Sequence, residues 1–284
     1  MPAQNGPSEA VKALIESLGG SLWTTATDMV AGGTGTARTE IEQHRVPDAA
    51  RMLVGWRPIE YAADQAADES ILAVFDIAGV NFNFQPQEVI CGCVSGSILT
   101  DSAGLQQAPS EYYDAFAPVA GGETISVGVE PCDAIAGNRS SAVEFTWTDK
   151  KLPLPVIYSL CSREVAVSAA GITAGTTLNI NNAHKLIEVG GVFTPAVTTI
   201  EEEALIRLEI SCTVLSPIQS IQALLEPHGA VANLTTDNGS TQTYLARRCQ
   251  RLKFTTDRAT ILTNFNLDIA QTAAGQAVHN IRWI

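Results

Sequence analysis

From Met52 onward, hydrophobic positions occur in short runs that are separated by glycine, proline, asparagine and aspartate. Regularly spaced runs of this length are typical of the strands of a β-sandwich or barrel, and they argue against alternating β-α units. We therefore predict an all-β protein. The predicted strands are Met52–Trp56, Ser70–Ile77, Val80–Phe84, Glu88–Val94, Thr124–Val129, Ala142–Trp147, Val156–Leu160, Val165–Val167, Thr177–Ile180, Leu186–Phe193, Ala204–Val214, Ile218–Leu225, Tyr244–Phe254, Thr260–Ile269 and Val278–Trp283.

The N-terminal region has a different pattern. Ser8 to Leu18 has helical spacing, with Pro7 and Ser8 as a start and Gly19 as a stop. A helix this short is marginal alone, so we expect it to dock on its own body or on a partner. Residues 21–39 are glycine-rich and predict an irregular arm that leaves the helix free to take part in assembly. The apolar stripe of the helix consists of Val11, Leu14, Ile15 and Leu18.

The two halves of the chain resemble each other at four places in the same order. Arg51 corresponds to Lys185 and Glu69 to Glu203, each at an offset of 134, while Pro86 corresponds to Pro217 and Trp147 to Trp283. A repeat of this length indicates two similar domains in tandem. We expect the junction near Asp149 to Pro155, where two lysines and two prolines interrupt the strand pattern. The expected divisions are an N-terminal helix and arm over residues 1–44, a first β-sandwich over 45–150 and a second over 151–284.

Composition narrows the choice of partners. The chain is 45% hydrophobic and only 17% charged, which is apolar for a monomer whose whole surface faces water. Its net charge is −13, so we expect no specific nucleic-acid binding. One basic patch, Arg247, Arg251 and Lys253, falls on one face of a predicted strand. It suits acidic neighbours, lipid headgroups or nucleic acid, or it is an ordinary solvated strand face.

Residue patterns that carry chemistry are incomplete. The four histidines have neither the spacing of a zinc helix nor a Cys-x-x-Cys partner, and no Gly-x-Ser-x-Gly elbow is present. Cys91 and Cys93 could face a soft metal from one strand, but no second pair completes four ligands, and buried free thiols are the expectation for all six cysteines. We predict no catalytic residues, no metal and no cofactor. The sequence also shows no signal peptide and no apolar run long enough for a spanning helix.

A tandem all-β repeat with a short N-terminal helix resembles the double jelly-roll major capsid proteins of icosahedral viruses with an internal membrane. The resemblance rests on the strand openings at Glu69 and Glu203, the Pro86 and Pro217 turns and the closing Trp147 and Trp283. It implies two eight-stranded jelly rolls, a homotrimeric capsomer of pseudo-hexagonal outline, and self-assembly into a shell. It also implies synthesis in the host cytoplasm, a place in the virion, and contacts with an internal lipid membrane and minor capsid proteins.

The long segment from Ser95 to Gly122 contains Tyr112, Tyr113 and Phe116. It is either an inserted contact element whose aromatic residues anchor an interface, or an ordinary loop that folds these side chains onto its own sandwich. Two other functions also fit a β-sandwich: a carbohydrate-binding or adhesive module, and a sandwich-fold glycoside hydrolase. The first needs an aromatic platform, and aromatic residues are only 6% of this chain. The second needs two facing carboxylates.

Overall fold

A computed structural model gives the structure of the protein, and it is described here for part of the chain. The described residues are 6–32, 37–62, 69–79, 87–95, 106–107, 111–131, 139–161, 165–167, 171–174, 178–179, 186–195, 206–212, 220–225, 234–235, 241–242, 250–253, 264–271 and 275–284.

The described chain contains one helix and many short strands. The first part consists of α1 (Glu9–Ser17), β1 (Leu22–Ala26), β2 (Val30–Gly32), β3 (Thr39–Arg45), β4 (Met52–Ala62), β5 (Glu69–Ala78), β6 (Gln87–Ser95), β7 (Gln106–Gln107), β8 (Tyr113–Pro118), β9 (Thr124–Pro131), β10 (Arg139–Thr148) and β11 (Tyr158–Cys161). The second part consists of β12 (Val165–Val167), β13 (Gly171–Ala174), β14 (Leu178–Asn179), β15 (Leu186–Pro195), β16 (Ile206–Cys212), β17 (Ser220–Leu225), β18 (Leu234–Thr235), β19 (Thr241–Gln242), β20 (Gln250–Lys253), β21 (Asn264–Gln271) and β22 (Gly275–Trp283).

The strands of the first unit form two sheets that follow jelly-roll order. In one sheet the strand order is β1, β10, β4 and β8. The short strand β2 also pairs with β10, and the short strand β7 also pairs with β4. In the other sheet the order is β3, β9, β5 and β6. Numbered as eight successive jelly-roll strands, β1, β3, β4, β5, β6, β8, β9 and β10 give sheets ordered 1-8-3-6 and 2-7-4-5. This is the strand order of a complete jelly roll.

The second unit repeats the same order. One sheet runs β12, β22, β15 and β20, and the other runs β13, β21, β16 and β17, with β14 continuing the line of β13 along β21. These strands occupy the eight jelly-roll positions in sequence, so the chain is all-β with two tandem jelly rolls and one short N-terminal helix. The predicted fold class is confirmed.

The ladder register shows the tandem repeat at one of its anchors. Trp147 on β10 lies opposite Leu53, near the start of β4, and Trp283 on β22 lies opposite Leu186, at the start of β15. Both tryptophans are almost fully buried. The two closing tryptophans therefore occupy matching places in the two jelly rolls, to within one residue. Of the other anchors, Pro86, Lys185, Glu203 and Pro217 lie outside the described residues.

The segment expected to be an irregular arm is largely strand. Residues 22–26 form β1, which pairs antiparallel with β10, and β2 and β3 follow within the same unit. This corrects the arm prediction, because the first jelly-roll strand, β1, comes from it. β1 is mostly threonine and alanine, and its inward residues Trp23 and Thr25 lie opposite Trp147 and Phe145 of β10.

The segment between the two jelly rolls is packed. β10 ends at Thr148, and the backbone N–H of Ile157 donates to the carbonyl oxygen of Ala115 at 2.8 Å. The side-chain amide of Gln87 donates to the Ile157 carbonyl at 2.6 Å, and β11 then runs parallel to β6. The first compact unit ends at Leu160 and the second contains Cys161–Ile284.

Candidate assembly surfaces

The α1 helix is defined by local caps at both ends. The Ser8 hydroxyl accepts from the Val11 N–H at 3.3 Å, which caps the N-terminus. At the other end Gly19 has φ +63°, and the N–H of Gly20 donates to the carbonyl of Ile15 at 2.9 Å. Only glycine adopts this left-handed conformation without strain, so the predicted start and stop of the helix are confirmed.

The helix docks on its own unit through one residue of its apolar stripe. Ile15 is buried and lies against Gly20, while Val11 and Leu14 are half-buried and Leu18 is 44% exposed. A single buried anchor leaves part of the stripe open to solvent. The proposed part that this stripe plays in assembly stays a prediction.

A buried histidine joins the two sheets of the first jelly roll. His44 on β3 stacks on Phe145 of β10 with ring centroids 4.9 Å apart. Its Nδ1 lies 2.9 Å from Glu42 Oε1, and its Nε2 lies 3.1 Å from Thr25 Oγ1. Because a carboxylate only accepts, Nδ1 carries the proton and donates to Glu42.

The same threonine completes a chain of polar contacts. The indole N–H of Trp147 donates to Thr25 Oγ1 at 2.8 Å, and the other Glu42 oxygen accepts from the Asp28 N–H at 3.0 Å. Each buried polar group along this chain has a partner, which is the condition for burying it without a large cost. The chain ties β1 to β10 and β3, so it holds a sheet-edge strand in place.

On the outer face of β3, β9 and β5, Arg38 forms a bidentate ion pair with Asp76. Arg38 donates to Asp76 from Nε at 2.9 Å and from Nη2 at 2.7 Å, and Nη2 also donates to Ser126 at 3.2 Å. The hydrogen bonds to Asp76 raise the pKa of Arg38 above its ordinary value, so the guanidinium remains charged. Gly128 lies opposite Asp76 across the ladder.

The three aromatic residues of the long segment are inside the first jelly roll. Tyr112 and Tyr113 are each 2% exposed and Phe116 is 7% exposed. The Tyr113 hydroxyl donates to the Ile90 carbonyl at 2.8 Å, and burial raises the pKa of Tyr112 above its usual range. These side chains are therefore not available as surface anchors, and their burial supports the alternative in which the segment folds onto its own sandwich.

Two close contacts explain how this segment fits. A Cβ added at Gly55 would lie 2.5 Å from the Tyr112 hydroxyl oxygen and would also overlap the Tyr113 carbonyl. Gly55 is therefore required for the segment to lie against β4. Opposite Val54 the ladder shifts register, and Phe116 takes φ +47° at this bulge. Residues 113–118 of the expected insertion are thus β8, a sheet strand.

The basic patch falls on an edge strand of the second jelly roll. Arg251 and Lys253 lie on β20, opposite Gly190 and Glu188 of β15, and Arg247 lies outside the described residues. Glu188 is also opposite Arg282 of β22, with Arg282 Nη1 3.5 Å from Glu188 Oε2. Glu188, which lies opposite Lys253 in the ladder, is therefore already paired with Arg282. The role of the basic patch stays a prediction.

The described residues contain no cluster of three or more histidine, cysteine or acidic side chains that could hold a metal ion. Cys91 and Cys161 are buried thiols, and Asn280 Nδ2 donates to Cys161 Sγ at 3.3 Å. The side chain of Cys93 lies outside the described part. No helix in that part is long and apolar enough to cross a membrane.

Sequence reasoning missed the residues that organise the first jelly roll. Arg38 and Asp76 are 38 residues apart, and Thr25 and Trp147 are 122 apart. One local signal was present: Thr25 and Trp23 alternate with Thr24 and Ala26, the period of a half-buried strand.

Two jelly rolls of identical strand order in one chain define the class of double jelly-roll proteins. Neither the family models nor the curated proteins include a match to this sequence.

Solved structures do match in fold. The chain is similar to the structure described as the STIV MCP, at 11% identity, covering 92% of this chain and 95% of that one, with a TM-score of 0.44. It is similar to the structure of Sulfolobus Turreted Icosahedral Virus at 10% identity, 92% and 89% coverage and a TM-score of 0.47. It is also similar to the major capsid protein P2 of bacteriophage PM2 at 10% identity, 93% and 96% coverage and a TM-score of 0.35.

Proposed function

We propose that this chain is a structural protein, the major subunit of an icosahedral viral capsid, and that its working unit is a homotrimer. The observation that carries the proposal is the presence of two complete jelly rolls with the same strand order. Three subunits around a threefold axis present six similar lobes. Six lobes give the pseudo-hexagonal outline that tiles a closed shell, which explains the use of a tandem repeat.

The composition supports obligate association. The chain is 45% hydrophobic, and obligate interfaces bury core-like areas of about 2,000 Å² or more. The proposed location is the virion, after synthesis in the host cytoplasm. An internal lipid membrane and minor capsid proteins are proposed as further partners, with the net charge of −13 better suited to these than to a packaged genome.

The proposal excludes catalysis as the function. This exclusion rests on the two polar clusters of the first jelly roll. His44 is enclosed by Thr25, Glu42 and aromatic rings, and Arg38 and Asp76 neutralise each other. Neither cluster presents an accessible nucleophile beside a base. Activity on an ester or a glycan that disappears on replacing an acidic residue would contradict this part of the proposal.

The test of the assembly is native mass followed by electron microscopy. We expect particles of three 30.0 kDa subunits, and larger shells whose units have a lobed hexagonal outline. A protein that remains a single chain at high concentration, with no threefold particle in micrographs, would contradict the capsid function. It would favour a carbohydrate-binding or adhesive module.

The part of α1 in assembly can be tested separately. Leu18→Asp places a charge on the exposed end of the stripe, and we expect normal folding but less assembly. Ala13→Asp is the matched control, because Ala13 is exposed on the same helix and outside the stripe. Equal assembly of the two variants would remove α1 from the interface. Removing residues 1–40 is not a clean test, since it also removes β1 and β2.

A further inference from the structure

We draw no further inference here: the strongest candidate, the exposed face of the strand β1 on which Leu22, Thr24 and Ala26 lie, carries nothing, because nothing in the structure shows what covers it.

Discussion

Arg38 holds the carboxylate of Asp76 through two of its nitrogens, and the guanidinium occupies the space above Gly128. A Cβ at Gly128 would lie 2.5 Å from Arg38 Nε. Asp76 is only 9% exposed, so its carboxylate depends on this cation. Arg38 therefore needs the open space at Gly128, and the buried carboxylate of Asp76 needs the positive charge of Arg38.

We expect Gly128→Ala to displace Arg38 and lower the free energy of unfolding by roughly 1–3 kcal/mol. Arg38→Ala should have a similar effect, and the double variant should be little worse than either single one because the same interaction is lost. Urea unfolding measures all three. Additive losses would show that Gly128 acts by another route. Arg45→Ala, which removes the exposed contact to Asp48, is the control and should have almost no effect.

Thr25→Val should destabilise the first jelly roll. Valine keeps the shape but removes the oxygen that accepts from the Trp147 N–H and contacts His44, so a buried donor loses its partner. We expect a loss of about 1–3 kcal/mol in urea unfolding. Thr24→Val, one residue away and exposed, should change stability by less than about 0.5 kcal/mol. Equal effects at the two positions would contradict the role given to the Thr25 hydroxyl.

Phe116 tests the bulge in β8. Its φ of +47° is strained for a residue with a side chain beyond glycine. Phe116→Gly and Phe116→Ala both remove the ring, so their difference reports the backbone. We expect the glycine variant to be more stable by roughly 1 kcal/mol, measured by thermal unfolding.

The neighbouring residue gives the control for this comparison. Ala117 is in the same strand without a positive φ, and Ala117→Gly should lower stability by about 0.5–1 kcal/mol. The same sign of the alanine-to-glycine difference at both positions would exclude a backbone requirement at Phe116.

Asp149 predicts a small dependence of stability on pH. Its Oδ1 accepts from the Ser21 N–H at 2.7 Å, and this hydrogen bond lowers the pKa of Asp149 below its ordinary 3.8. A lowered pKa in the folded state means that the contribution is present above about pH 3.8 and is lost as the pH falls through the folded value. The stability difference between wild type and Asp149→Asn should therefore shrink on acidification below 3.8. A difference that stays constant from neutral to acid pH would contradict this.

How much could be predicted from the sequence depended on how local each signal was. The Ser8 cap, the Gly19 stop and the apolar run that ends at Trp147 are local, and the helix and strand that they indicate were predicted correctly. The tandem repeat was also visible, because Trp147 and Trp283 close equivalent strands. β1, β3 and β8 were missed because their sequences resemble loops until a partner strand lies beside them.

The sequence by itself determined an all-β chain, its division into two similar halves and its single N-terminal helix, since these follow from hydrophobic period, turn residues and caps that act over a few positions. The tertiary structure decided which strands lie at the sheet edges, and that Tyr112, Tyr113 and Phe116 point into the core. It also decided that Thr25 meets Trp147 and Arg38 meets Asp76. These contacts join residues far apart in the chain, and hydrogen bonding and burial at such distances depend on the register of the whole sheet, which no local pattern specifies.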